Sequence, residues 1–221
     1  MNIILTGSTG MVGKSVLLEC LDSPAVNRVM LINRNPLGKE HPKLIEVLHQ
    51  DFTDFTPLQQ QIRDFSPQAC FHCMGVSSVG MNEETYSRLT LQVTKSLADV
   101  VYTIAPQTVF TYVSGEGTDE TEKGNIMWAR VKGATENYVL NKGFGDAYAF
   151  RIGAVIPERG VKSSTGWVNA VYTITKPLHG WLKGFSSVVS SSQLGQAMIL
   201  VAQQPTQVKR LENKDIKRLV A

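Results

Sequence analysis

Thr6-Gly7-Ser8-Thr9-Gly10-Met11-Val12-Gly13 follows a short apolar run, Asn2-Ile3-Ile4-Leu5, and leads straight into an apolar-periodic segment. Strand, tight glycine turn, helix is the order in which a glycine-rich turn cradles a dinucleotide. Each glycine has its own reason. Gly7 lets the chain leave the strand in a conformation that a Cβ would block. Gly10 removes the side chain that would hold a pyrophosphate off the backbone, and Gly13 lets the helix pack closely on the strand. The helix N-terminus then offers unpaired N–H groups and a partial positive charge to the phosphates. The whole turn, Gly7, Ser8, Thr9, Gly10, Met11, Val12 and Gly13, therefore reads as the phosphate-binding part of a cofactor site.

Downstream, Val12, Val16, Leu17, Cys20 and Leu21 fall on one helical face, and Asp22-Ser23-Pro24 ends that helix. Residues 26–32 form a second strand, closing on Asn33-Arg34-Asn35-Pro36. The turn after this strand is where a dinucleotide fold meets the adenine ribose. A carboxylate there accepts from the 2′-OH of NAD, whereas an arginine pairs with the 2′-phosphate of NADP. The chain carries Arg34 and no carboxylate in that turn, so NADP(H) is expected over NAD(H). Strands follow at 44–49 and 69–74, with a short helix at 57–65 between them. The fourth strand runs through Met74 into Gly75-Val76-Ser77-Ser78, small residues that let the backbone pass beneath the pyrophosphate and the nicotinamide ribose. A long helix at 82–103, a strand at 107–113 closing on Ser114-Gly115-Glu116-Gly117, a helix at 125–141 and a strand at 147–152 complete the alternation. That alternation predicts an α/β protein with a doubly wound parallel sheet.

Beyond Pro157 the alternation lapses. Residues 158–185 carry Gly160, Gly166, Gly180 and Gly184 with Trp167, Tyr172 and Trp181. This small C-terminal region reads either as a substrate cap over the cofactor or as the face of a homo-oligomer. Residues 192–203 return to helix, Arg210-Leu211 adds a strand pair, and 215–220 closes the chain. Residues 1–221 are read as one domain, with 157–187 as the cap or oligomer segment within it.

Composition narrows the function classes. At 43% hydrophobic and 19% charged residues the chain is of ordinary globular make-up, which excludes disorder. A net charge of +3 without a basic run interleaved with aromatics argues against nucleic acid and suits an anionic cofactor. No apolar run approaches the ~20 residues of a membrane span. The first strand begins at Asn2, leaving no room for a signal peptide, and three cysteines without regular spacing suit a reducing compartment. A soluble cytoplasmic protein acting on a small molecule is the expectation. Cys70, His72 and Cys73 invite a zinc reading, but on a strand Cys70 and His72 share one face while Cys73 takes the other. They cannot converge on one ion, and no second cluster completes four ligands, so no metal is expected.

Several motifs taken in order carry a resemblance. They are Gly7-Ser8-Thr9-Gly10-Met11-Val12-Gly13, Leu31-Ile32-Asn33-Arg34, Val131-Lys132-Gly133, Phe150-Arg151-Ile152-Gly153 and Leu211-Glu212-Asn213-Lys214. Together they make the chain resemble the atypical short-chain dehydrogenase/reductases. That group includes relatives of the human Tat-interacting protein of 30 kDa and bacterial proteins of the NAD-dependent epimerase/dehydratase type. The resemblance covers nearly the whole chain and implies a Rossmann-type fold with NADP(H) bound. It also implies that Asp51 and Phe52 line the adenine pocket, with the Asp51 carboxylate reaching the base's amino group.

For chemistry the resemblance implies three groups. A serine at the end of the fifth strand holds the substrate oxygen, a tyrosine exchanges its proton, and a lysine four residues later binds the nicotinamide ribose. Ser114 and Lys132 occupy the first and third places, but the second is Trp128. An indole N–H donates a hydrogen bond and cannot release a proton near neutral pH. Ile152, where the resembled proteins have proline, is a second departure. Glu116, Tyr86 and His72 are the other candidate proton donors. Two functions stay open: an NADP(H)-dependent oxidoreductase or epimerase-like enzyme acting on a small carbonyl or hydroxyl compound, and an NADPH-binding sensor or scaffold with little chemistry, which Trp128 favours.

Overall fold

The computed structural model describes residues 1–161, 185 and 187–221. Its organising strand is β1 (Asn2–Thr6), where Ile3, Ile4 and Leu5 are all fully buried. Side chains on a strand alternate between faces, so burial of consecutive residues means that both faces are covered. Ile3 and Leu5 join the core shared with α1 (Met11–Asp22), while Ile4 joins the core on the opposite side of the sheet.

Around β1 the strands β2 (Arg28–Asn33), β3 (Leu44–Leu48), β4 (Ala69–His72), β5 (Val109–Gly115), β6 (Asp146–Ile152) and β9 (Arg210–Glu212) complete one seven-stranded sheet. Their order is β3-β2-β1-β4-β5-β6-β9 and every pairing is parallel. The order reverses between β1 and β4, and a crevice therefore opens beyond the carboxyl ends of those two strands. Both ends had been singled out in the sequence, one as the glycine turn and the other as Met74-Gly75.

Helices cover both faces. α1 packs with α6 (Ser191–Gln203) on one side, so closely that a Cβ on Gly195 would stand 2.7 Å from Glu19 Cγ. α7 (Asn213–Leu219) lies beside α6. The other side holds α2 (Gln59–Phe65), entered through a 3-10 turn at Thr56–Leu58, together with α4 (Val93–Ile104) and α5 (Met127–Leu140).

Two details differ from expectation. The long helix at 82–103 is α3 (Glu83–Ser87), a π-helical turn (Arg88–Gln92) and α4 in unbroken succession. The wider turn shifts the inward face, so Tyr86 and Thr90 are buried and Leu89 only half so. A separate parallel pair, β7 (Ala154–Ile156) with β8 (Val188–Ser190), had not been foreseen. Most of the expected cap or oligomer segment, with its three aromatics, lies outside the described residues.

Candidate functional site

The three glycines of the turn separate cleanly by what surrounds them. Gly7 has φ +78°, and a Cβ there would stand 2.5 Å from the Cys73 carbonyl oxygen at the end of β4. A Cβ on Gly13 would come within 2.1 Å of the Gly7 carbonyl oxygen. The fold itself demands both. Gly10 is different: its φ is −80°, and a Cβ would meet only the Gly7 oxygen at 3.5 Å, an ordinary contact. Its bare Cα faces the crevice, which is the cradle a bound phosphate needs.

Gly10 is also the N-cap of α1, with no capping side chain and no acidic residue in the first turn. Lys14 is the first residue to donate back into the helix, to the Gly10 carbonyl at 2.9 Å. The positive end of this twelve-residue helix is left for an anion. A nicotinamide dinucleotide fits these residues on that ground.

The crevice holds about 300 Å³. Gly7, Thr9, Gly10, residues 32–35, Phe52 and residues 73–76 line it. Of the expected cofactor residues, Gly7, Thr9, Gly10, Arg34, Phe52, Met74 and Gly75 are brought together here. Met11 and Val12 pack their side chains against the core instead. Asp51 does not line the crevice. Its Oδ1 accepts from the Thr53 amide at 2.9 Å and hydroxyl at 2.6 Å, and those bonds hold its carboxyl below the usual range.

Ser8 is fully buried and donates to Asn33 Oδ1 at 2.7 Å. Asn33 Nδ2 donates in turn to Glu46 Oε1 at 2.7 Å, and the same oxygen accepts from the Leu37 amide at 2.9 Å. This chain of bonds ties the glycine turn to the loop after β2. It was missed in the sequence, although an asparagine closing a buried strand was a usable signal. Arg34 is exposed at the crevice wall and makes no ion pair among the described residues; its carbonyl accepts from Gln50 at 2.6 Å.

The chemistry end is arranged otherwise than expected. Ser114 is 2% exposed, and its hydroxyl donates to Glu136 Oε1 at 2.5 Å. Phe110, Tyr112 and Ser114 alternate onto the face that α5 covers, so the serine meets a helix and not the crevice. Glu136 is fully buried and also accepts from Arg151 at 2.7 Å and Arg210 at 3.2 Å. Bonding to Glu136 holds the Arg151 guanidinium above its usual pKa. The expected presentation of Ser114 to a substrate gives way to a buried network joining β5, α5, β6 and β9.

Lys132 lies one turn before Glu136 but makes no bond to it, because that carboxylate is spent on the serine and the two arginines. Its Nζ ends 3.5 Å from where a Cβ on Gly115 would stand, and the Trp128 ring reaches within 4.0 Å of the same point. Burial lowers the Lys132 pKa, and Glu136 works against it. Gly133 lets α5 approach so closely that a Cβ there would sit 1.7 Å from the Asp119 carbonyl oxygen.

Glu116 is exposed and folds over Gly153 into a separate cleft of about 110 Å³, shared with Arg151, Glu212 and Lys214. His72 is buried between Thr6 Oγ1 at 2.7 Å and Thr94 Oγ1 at 3.0 Å. The Thr94 hydroxyl already donates to the Thr90 carbonyl, so it accepts from His72 Nε2–H. Burial pushes the His72 pKa down to about 3. Tyr86 is 2% exposed, and burial raises its pKa. Neither His72 nor Tyr86 reaches solvent or crevice. Cys70 and Cys73 fall in opposite core layers.

A sequence profile described as the NAD dependent epimerase/dehydratase family matches residues 3–150. Among curated proteins, the mitochondrial protein fmp52 of Emericella nidulans is 26% identical over 167 residues, covering 72% of this chain and 68% of its own length. Two solved structures share the fold. The Thermus thermophilus UDP-glucose 4-epimerase complex with NAD has a TM-score of 0.67 at 17% identity, over 98% of this chain and 81% of its own. The GalE-like L-threonine dehydrogenase of Cupriavidus necator, in holo form, has a TM-score of 0.71 at 12% identity, over 96% and 78%. No helix among the described residues is long and apolar enough to cross a membrane.

Proposed function

Since the chain belongs to the NAD dependent epimerase/dehydratase family, we propose that it binds NADP(H) in the crevice between β1 and β4 and acts as an oxidoreductase or epimerase-like enzyme on a small carbonyl or hydroxyl compound. One observation carries the reading. Of the three glycines in the turn, two are required by the protein's own packing, and the third, Gly10, is not: it opens onto the crevice at the uncapped N-terminus of α1.

The backbone of Gly7 to Gly10 and the first turn of α1 would hold the pyrophosphate, and Phe52 the adenine. The bound dinucleotide supplies or accepts a hydride. Arg34 would take the 2′-phosphate: its guanidinium has no carboxylate mate among the described residues, and Glu46 Oε1, the nearby acid oxygen, is already shared by Asn33 and Leu37. Ser114 would serve as a lock that fixes the end of β5, with Lys132 facing the space above Gly115.

Fluorescence titration with NADPH and NADH tests the cofactor. NADPH binds more tightly in this reading, and Arg34→Ala narrows the gap by about tenfold or more, as loss of a charge-assisted pair requires. Equal affinities in the parent would sink the assignment of Arg34. Trp128 favours a second reading, an NADPH-binding sensor or scaffold, because it stands where a proton-releasing phenol is expected. A panel of aldehydes and ketones followed by NADPH absorbance separates the two.

A further inference from the structure

We propose that Lys132 is the proton donor of this site, carrying out the task that Trp128 cannot. The proposal rests on the oxidoreductase reading above. It begins with elimination among groups whose positions are now known. The Ser114 hydroxyl is committed to Glu136, His72 and Tyr86 are buried away from the crevice, and Glu116 opens into a different cleft. The Trp128 indole has no titratable proton in the working range. Lys132 remains. Its Nζ lies over Gly115 at the carboxyl end of β5, with the Trp128 ring closing one side.

Lys132 is also chemically free. It makes no hydrogen bond and no ion pair among the described residues, although it is half-buried. The elements packed against α5 bring other charges into the neighbourhood, and most are engaged. Glu83 on α3 holds Arg130, Asp99 on α4 holds Lys142, and Arg151 on β6 holds Glu136. Asp119, in the loop after β5, is bound to Thr121 and the Gly124 amide. Asp146 on β6 holds Lys209, Glu120 reaches Arg151 and Glu122 accepts from Asn137. Glu84, Arg88, Lys95, Glu116 and Lys123 are the remaining charges there, and the group whose charge reaches the amine is Glu136, on its own helix. Burial outweighs that attraction and makes Lys132 a stronger acid than a surface lysine.

The step balances with the reduced nicotinamide dinucleotide as the electron source. A hydride adds to the carbonyl carbon, and the C=O π pair withdraws onto oxygen. A Lys132 N–H bond then breaks, leaving its electron pair on nitrogen and its proton on the new alkoxide; solvent recharges the amine. Reduction needs the ammonium form and slows as pH rises through the Lys132 pKa. Alcohol oxidation needs the free amine and speeds up over the same range.

Two measurements test this. Lysines are reductively ¹³C-methylated and titrated by NMR with and without NADPH, using Lys132→Met to assign the signal. The Lys132 resonance should titrate below those of the surface lysines and shift when NADPH is added. In parallel, Lys132→Arg and Lys132→Met are assayed with NADPH and whichever carbonyl of the panel the parent reduces. Arginine keeps the charge and cannot release a proton. Lys132→Arg should therefore bind NADPH within about tenfold of the parent while kcat falls by about 100-fold or more in both variants, the contribution expected of a general acid. A Lys132 resonance that titrates with the surface lysines, or Lys132→Arg turnover close to the parent's, overturns the proposal alone. A parent that binds NADPH and reduces no carbonyl overturns the oxidoreductase reading and the proposal with it.

Discussion

Replacing two glycines of the same turn by alanine should weaken cofactor binding in both cases but lower stability in only one. At Gly13 a methyl would lie 2.1 Å from the Gly7 carbonyl oxygen, so α1 or the turn must retreat by roughly 1.3 Å to reach the 3.4 Å of ordinary contact. Overpacking of that kind costs about 1–3 kcal/mol, and alanine's better helix propensity returns about 1 kcal/mol of it. At about 2–4 °C per kcal/mol for a chain of this size, Gly13→Ala should melt several degrees below the parent at most. It should also bind NADPH poorly, because the displaced turn is the cradle. Gly10→Ala meets only a 3.5 Å contact and keeps an allowed φ of −80°. Its stability should stay within about 1 kcal/mol of the parent, the range for exchanging N-cap glycine and alanine. Its methyl points where the pyrophosphate would lie, so NADPH affinity should fall by about 10- to 100-fold, or ~1.4–2.8 kcal/mol. Thermal melts paired with fluorescence titration read both quantities. A Gly10→Ala protein that binds NADPH like the parent would refute the cradle, and a Gly13→Ala protein that binds normally would refute the packing argument.

Ser114→Ala should lower stability by about 1–3 kcal/mol, since it removes a bond to a buried carboxylate that two arginines still hold, while changing kcat by less than about tenfold. A 100-fold loss of kcat with unchanged stability would return Ser114 to the substrate. His72 makes the protein acid-sensitive. Its imidazole stays neutral in the fold down to about pH 3, whereas the unfolded chain takes the proton near 6.5. The unfolded state binds more protons in that window, so stability is full above pH 6.5 and falls on acidification at up to ~1.4 kcal/mol per pH unit. Urea melts at pH 7 and pH 5 should differ by about 2 kcal/mol, and His72→Gln should flatten the difference; an equal slope in the variant would contradict the assignment.

The sheet was legible because its strands are buried on both faces and write continuous apolar runs such as Ile3-Ile4-Leu5. The helices were legible through their periodicity, with one instructive failure. The π-helical turn at Arg88–Gln92 inserts a residue into the repeat, so Thr90 is buried where a constant 3.6 residues per turn would put Leu89. β7 and β8 are three residues each and pair only with one another, which is too little chain for any alternation to register.

The two ends of the site differ in the same way. The cofactor end is made within residues 7–13 and against the end of β4, by backbone contacts that only glycine permits, so residue identity alone announces it. The network at the end of β5 is made by side chains far apart in sequence: Ser114, Glu136, Arg151 and Arg210. A serine closing a strand gives no sign of which way its hydroxyl turns. The signal lay one helix further on. Glu136 falls among Thr135, Val139 and Gly133 on the buried part of α5, and a carboxylate there must find cations or protonate. Two arginines on neighbouring strands answer that need, and Ser114 supplies one more bond. Once the serine is spent in this way, β5 closes on Gly115. The nitrogen facing it is Lys132, which the same network leaves without a mate.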